Sequence, residues 1–182
     1  DEVEEVIKRI RDILRRVEEH SEKILREIEK LLRDATRHSE EVKRRNEKIL
    51  RDAENSRVRS KEAEDIVRRI VEEAKKSNEE NHRLIRDLER RLRELVKENH
   101  DLIRRVEKEL EELVEDLVRK KGNDEDVKRV RDEVKKVVER VRRSNKKVED
   151  MVREVERRLR ESNKESREDS KRIVEEMDRR VK

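Results

Sequence analysis

A pair of polar residues recurs in this sequence after an interval of 18 residues, and the recurrence happens three times. His20-Ser21 returns as His38-Ser39, Asn81-His82 as Asn99-His100, and Ser144-Asn145 as Ser162-Asn163. Since 18 residues make about five turns of an α-helix, both copies of a pair lie on the same face of one helix. The pattern therefore predicts long, continuous helices.

The helix face that carries these pairs is otherwise apolar. Val, Ile and Leu recur on it with a mean step of about 3.6 residues, for example at Ile10, Leu14 and Val17. A step nearer 3.6 than 3.5 predicts nearly straight amphipathic helices with little supercoil. The sequence thus places histidine, asparagine and serine among positions of a hydrophobic core.

Helix-breaking signals occur at two places and predict three helices. In Gly122-Asn123-Asp124, glycine suits the left-handed position after a helix and aspartate can cap the next helix. In the second place, Asn55 can end one helix and Ser60 can cap the following one. Because short turns make consecutive helices antiparallel, we predict an all-α, single-chain antiparallel three-helix bundle of long, nearly straight helices. One bundle should span residues 1–182, with helices over about 2–55, 60–121 and 125–181.

In two antiparallel helices, residues at the same height along the bundle have residue numbers that add to a constant, because one number rises as the other falls. This sum predicts which polar side chains lie at the same height. That sum is 120 for His20 with His100 and for His38 with His82. It is 245 for His100 with Asn145 and for His82 with Asn163. Both sums agree with turns that were placed without using them, so we predict two shared polar layers.

The first predicted layer contains His20, Ser21, Asn99, His100, Ser144 and Asn145. The second contains His38, Ser39, Asn81, His82, Ser162 and Asn163. A third, looser layer nearer the first turn contains Asn46, Asn78, Ser166 and Ser170, with Ser77 beside them. A buried polar group without a partner costs about 1–3 kcal/mol, so the members of a layer must satisfy one another. Such layers specify helix register, because a slipped helix would place Asn or His against Leu.

With these residues in view, the sequence resembles de novo designed helical bundles with modular buried hydrogen-bond networks. The resemblance covers the whole chain and rests on the duplicated polar pairs, idealised helices, surfaces rich in Lys, Arg and Glu, and the minimal Gly-Asn-Asp turn. It implies a structural or assembly role without a natural biochemical function or natural cellular location. The odd number of helices is a departure, because many members are hairpins that pair into four-helix or six-helix bundles.

Composition argues against several other functions. The 182 residues include no Cys and no aromatic residue, which removes thiolate metal sites, thiol nucleophiles and base-stacking side chains. Two His per layer, with Asn and Ser, are a poor zinc ligand set, so we predict no metal and no cofactor. Uninterrupted helices offer no oxyanion hole or substrate pocket, so we predict that the chain is not an enzyme.

Charge and hydropathy argue against nucleic-acid and membrane partners. The 55 basic and 51 acidic residues give a net charge of only +4, and they interleave along the helices. No 18-residue apolar run and no targeting segment occur, so we expect a soluble chain, cytoplasmic on recombinant expression.

Two assembly states remain open at this point. In the favoured one, the chain is a self-contained three-helix bundle that requires no partner. In the alternative, it is the three-helix component of a designed heterodimer and binds a single amphipathic helix, or it self-associates in the absence of that helix. Four histidines confined to two layers add the alternative that the assembly responds to pH, since histidine titrates near neutrality.

Overall fold

The computed structural model describes residues 2–55, 62–122 and 124–181. It contains three helices, α1 (Glu2–Asn55), α2 (Glu62–Lys121) and α3 (Glu125–Val181), and the described residues form no strand. The predicted fold class is confirmed, because the chain folds as an all-α three-helix bundle. The predicted start of the second helix near residue 60, with its cap at Ser60, lies outside the described residues.

The turn between α2 and α3 forms as its residues predict. Gly122 has a φ of 67°, the left-handed conformation that glycine adopts without a steric cost, and its N–H donates to the Val118 carbonyl at 2.8 Å. The Asp124 carboxylate then accepts the Glu125 N–H at 2.8 Å and caps α3. Basic residues in the last turn of α2 and acidic residues in the first turn of α3 complement the helix dipoles.

Side-chain contacts establish the directions of the helices. Asn99 bonds to Asn145 and Asn78 bonds to Ser166, so rising residue numbers in α2 meet falling numbers in α3. Both pairs have residue numbers that add to 244. Arg11 meets Glu133 and Arg140 meets Glu18, a constant difference of 122, so α1 and α3 run in the same direction.

The described residues divide into two compact units, each with a segment of every helix. The first joins residues of α1 up to Glu29 with residues 92–153. It contains an aliphatic core cluster whose most deeply buried members include Val3, Ile10, Val17, Leu110, Leu117, Val127, Val130 and Val137.

The second unit joins residues 30–91 with α3 from Glu154 onward, and its core is more polar. Its apolar cluster contains Ile49, Ala53, Ile70, Ala74, Ile173 and Met177. In α3, residues 160–172 include no apolar side chain, and the buried positions in that stretch are Ser162 and Ser166. The second and third predicted polar layers both belong to this unit.

Candidate functional site: the interior polar layers

In the first layer, hydrogen bonds join α2 to α3. Asn99 is 2% exposed, and its side-chain amide donates to the Asn145 carbonyl oxygen at 2.9 Å. The Asn145 amide in turn donates to the Glu149 carboxylate at 3.1 Å. This chain of bonds leads from the interior to a half-buried carboxylate.

Other members of the first layer are less closely connected. Ser21 is buried, His20 and Ser144 are half-buried, and the His20 Nε2 atom is buried without a hydrogen-bond partner. His100 is exposed, so the structure does not bring it into the interior with Asn99. Successive residues of an α-helix are rotated by about 100° about the helix axis. Because Asn99 faces the core, His100 faces the surface.

The six residues of the second predicted layer come from all three helices, and no hydrogen bond joins any two of them. Asn81 is fully buried, and neither its amide nitrogen nor its carbonyl oxygen has a partner. Buried atoms without partners also occur at His38 Nε2 and Asn163 Oδ1. Of the remaining members, Ser162 is buried, whereas Ser39 and His82 are half-buried.

The third layer, predicted on the weakest pattern, has the most complete set of hydrogen bonds. The Ser77 hydroxyl donates to the Asn46 carbonyl oxygen at 3.1 Å, and the Asn46 amide donates to the Asp169 carboxylate at 3.4 Å. The Ser166 hydroxyl donates to the Asn78 carbonyl oxygen at 3.0 Å. Ser170 is half-buried and takes no part in these bonds.

Sequence reasoning missed the two carboxylates that receive amide hydrogen bonds, Glu149 and Asp169. Both are half-buried, at the border between the interior and the surface. Glu149 follows Asn145 by one helical turn, and Asp169 follows Ser166 by three residues, which are the spacings of neighbours on a helix surface. That spacing was available in the sequence, but more than half of the chain is charged and most such neighbours are solvated.

An ion-pair cluster on the surface of α3 adds a further connection to α1. Arg157 donates to Glu154 at 2.7 Å and to Glu161 at 2.7 Å, and Arg158 donates to Glu154 at 3.2 Å and to the Thr36 hydroxyl at 3.3 Å. Hydrogen bonds from Arg157, and then from Arg158, hold the pKa of the Glu154 carboxyl below its ordinary value.

The layers offer hydrogen-bond donors and acceptors rather than a ligand cage. Across the described ranges, no group of three or more His, Asp or Glu side chains is placed to hold a metal ion. No helix in the described part of the chain is long and apolar enough to cross a membrane.

The chain was compared with known proteins by sequence and by structure. No protein-family model matches the sequence, and no curated protein matches it. A solved structure described as "Computationally designed three helix bundle" has a TM-score of 0.66 and 19% sequence identity. The match covers 98% of this chain and 88% of that chain. This likeness supports the fold.

Proposed function

We propose that this chain is a designed structural protein whose buried polar layers specify helix register and pairing. The observation that carries the proposal is the relay from Ser77 through Asn46 to Asp169, because these three residues belong to α2, α1 and α3 respectively. One continuous set of hydrogen bonds therefore depends on the relative positions of all three helices.

The physical basis is the directionality of hydrogen bonds. An apolar core tolerates sliding of one helix along another, because Leu and Val contacts are non-directional. A shift of one helical turn moves a helix by about 5.4 Å, which is too far for a hydrogen bond to survive. Each stranded group would then cost about 1–3 kcal/mol, which favours the single register in which the relay closes.

A designed origin and the absence of a natural biochemical activity belong to the same proposal. Support comes from the fold likeness to a designed bundle and from the evenly patterned, loop-poor sequence. In the interior, hydrogen bonds join polar side chains of different helices, in the pairs Asn46 with Ser77, Asn99 with Asn145 and Asn78 with Ser166. We therefore propose that the chain is not an enzyme.

The register proposal is tested by removing the relay. In the variant N46L/S77A/D169A, the three members of the relay become apolar. We expect a folded helical protein that populates more than one oligomeric species or helix pairing, measured by light scattering after size exclusion and by double electron–electron resonance between spin labels on α1 and α2.

A matched control replaces three buried apolar residues with isomers, I49L/I70L/I173L. This variant keeps the relay and should retain the single species and the single distance distribution of the parent. A relay-free variant with the parent's mass and distances would contradict the register proposal.

The second candidate function is binding of a single amphipathic helix to complete a four-helix bundle. Leu84 favours it, since 37% of this large apolar side chain is exposed in the same unit as the unpaired Asn81 amide. The chain alone should then self-associate with rising concentration, and L84E should abolish that association. A monomer of 22.4 kDa at all concentrations would exclude this candidate. The pH-responsive form of this candidate predicts that acidification weakens binding of the partner helix, which a binding titration at two pH values measures.

A further inference from the structure

One stretch of α3 is strongly basic. Its basic members are Lys135, Lys136, Arg140, Arg142, Arg143, Lys146 and Lys147, and its one acidic member is Glu139. Seven positive charges and one negative charge give a local net charge of +6 over 13 residues. The whole chain has a net charge of +4, so everything outside this stretch carries a net charge of −2.

All of these charged side chains are exposed and form two rows along one face of α3, which we call the basic face. Lys136, Arg140, Arg143 and Lys147 have the spacing of one helical row and border α1, where Glu18 and Glu22 line the adjoining grooves. The second row contains Lys135, Arg142 and Lys146, with Glu139 between Lys135 and Arg142. The two rows extend for about 18 Å at 1.5 Å per residue.

Few of these cations are neutralised by the protein itself. Arg140 pairs with Glu18 at 2.8 Å, and Arg143 approaches Glu139 at 4.0 Å. The other five basic side chains form no ion pair with any part of the chain that the structure describes, and this includes the whole second row. A predominantly positive field over an exposed helix face attracts an extended anion.

We propose that the basic face binds the phosphate backbone of double-stranded nucleic acid without sequence specificity. A duplex carries one charge per about 1.7 Å of its axis, so several phosphates lie within reach of an 18 Å face, and their contact with Lys and Arg releases condensed counterions. The chain has no aromatic side chain to stack on unpaired bases, which favours a duplex over a single strand. This inference reverses the expectation from the whole-chain charge balance, because the average conceals a local concentration.

A second copy of the chain is the less favoured occupant. The acidic stretch 107–116 of α2 has six carboxylates and one lysine, which gives it the opposite charge. Three of those carboxylates already approach arginines of the same chain, Glu109 with Arg16 and both Glu115 and Asp116 with Arg119. Separate surface ion pairs contribute only about 0–1 kcal/mol each, whereas a duplex presents a continuous line of charge.

The test is fluorescence anisotropy of the full chain with a labelled 20-base-pair DNA duplex of mixed sequence between 50 and 200 mM NaCl. At a slope of about −0.9 per contact, five to seven phosphate contacts give a log–log salt dependence of about −4.5 to −6.3. The variant K135Q/R142Q/K146Q removes the unpaired row while sparing the Arg140–Glu18 pair. We expect it to lose at least about tenfold in affinity at 50 mM NaCl, with a slope shallower by about 3.

The matched control is K75Q/K76Q/R83Q, which changes three exposed basic residues of α2 that also lack ion pairs. Both variants have the same net charge of +1, but the control residues are interleaved with Glu72, Glu73, Glu79 and Glu80. Circular dichroism verifies that both variants remain helical. The control should bind the duplex within about threefold of the parent, since it leaves the basic face intact.

Four results would overturn the proposal. In the first, the duplex does not bind at 50 mM NaCl, and in the second, the two variants lose affinity equally. In the third, labelled poly-L-glutamate of matched charge binds as tightly as the duplex. In the fourth, a low-salt dimer forms without duplex binding and disappears in K135Q/R142Q/K146Q. The third would identify an acidic polypeptide as the partner, and the fourth would identify a second copy of the chain.

Discussion

Ser77 on α2 donates a hydrogen bond to the carbonyl oxygen of Asn46 on α1, across 3.1 Å in a region where both side chains are at least 95% buried. The bond fixes the orientation of the Asn46 amide, because an oxygen that accepts from Ser77 leaves the nitrogen free to donate to Asp169. One hydroxyl on α2 thereby determines which group Asn46 presents to α3.

Removal of the Ser77 hydroxyl should therefore destabilise the protein. In S77A, the buried Asn46 carbonyl oxygen loses its partner, and we expect the free energy of unfolding to fall by about 1–3 kcal/mol. Urea denaturation followed by circular dichroism measures this change. S166A is an informative comparison, since it removes the partner of a half-buried Asn78 oxygen and should have a smaller effect. Equal stability of S77A and the parent would show that the bond makes no net contribution.

Two buried asparagines should respond in opposite directions to the same substitution. Asn81 is fully buried with both amide groups unpaired, so N81L removes a desolvation penalty and should stabilise the fold by about 1–3 kcal/mol. Asn99 donates to Asn145 while its own Oδ1 atom is buried without a partner, so N99L removes one donor and also relieves one unpaired group. We therefore expect a smaller destabilisation, of up to about 1 kcal/mol. Urea midpoints of the two variants provide the comparison. A destabilised N81L would mean that Asn81 makes hydrogen bonds in solution.

Gly122 should be sensitive to substitution for reasons of backbone conformation alone. Its φ of 67° is unfavourable for a residue with a side chain, yet apart from its chain neighbours no atom of the described residues lies within 4 Å of the position that a Cβ would take. We expect G122A to lower stability by about 1–2 kcal/mol, and G122N to lower it less, because asparagine tolerates the left-handed region. Thermal melts that place the two variants at the same midpoint would contradict this explanation.

Glu154 should contribute a pH-dependent increment to stability. Hydrogen bonds from Arg157 and Arg158 lower the pKa of its carboxyl in the folded state. A group with a lowered folded-state pKa adds stability above its unfolded pKa, and this stability is lost as the pH falls through the folded value. Carbon-detected NMR titration should show the Glu154 carboxyl protonating at lower pH than a glutamate in an unstructured peptide. In R157Q, the Glu154 midpoint should move towards its ordinary value, and an unchanged midpoint would exclude Arg157 as the main cause.

The sequence alone determined the helices. Apolar residues repeat at helical spacing, and a glycine at 122 followed by a capping aspartate ends one helix and begins the next, so these boundaries depend on local chemistry. The 18-residue repeat also indicated the three helix segments from which interior polar residues come. Asn81, Asn99 and Ser162 are buried in the structure at those positions.

Tertiary packing decided which polar groups meet, because a hydrogen bond requires placement within a few tenths of an ångström and a repeat gives only the face and approximate level. The bonded pair Asn46 and Ser77 has numbers that add to 123, whereas the repeat implied 120, so α2 lies nearly one turn from the predicted level. Rotation of α2 about its axis placed Asn99 inside and His100 outside. The axial shift of α2 and its rotation both depend on the shapes of the aliphatic side chains packed between the helices. The pattern of polar and apolar residues does not encode those shapes.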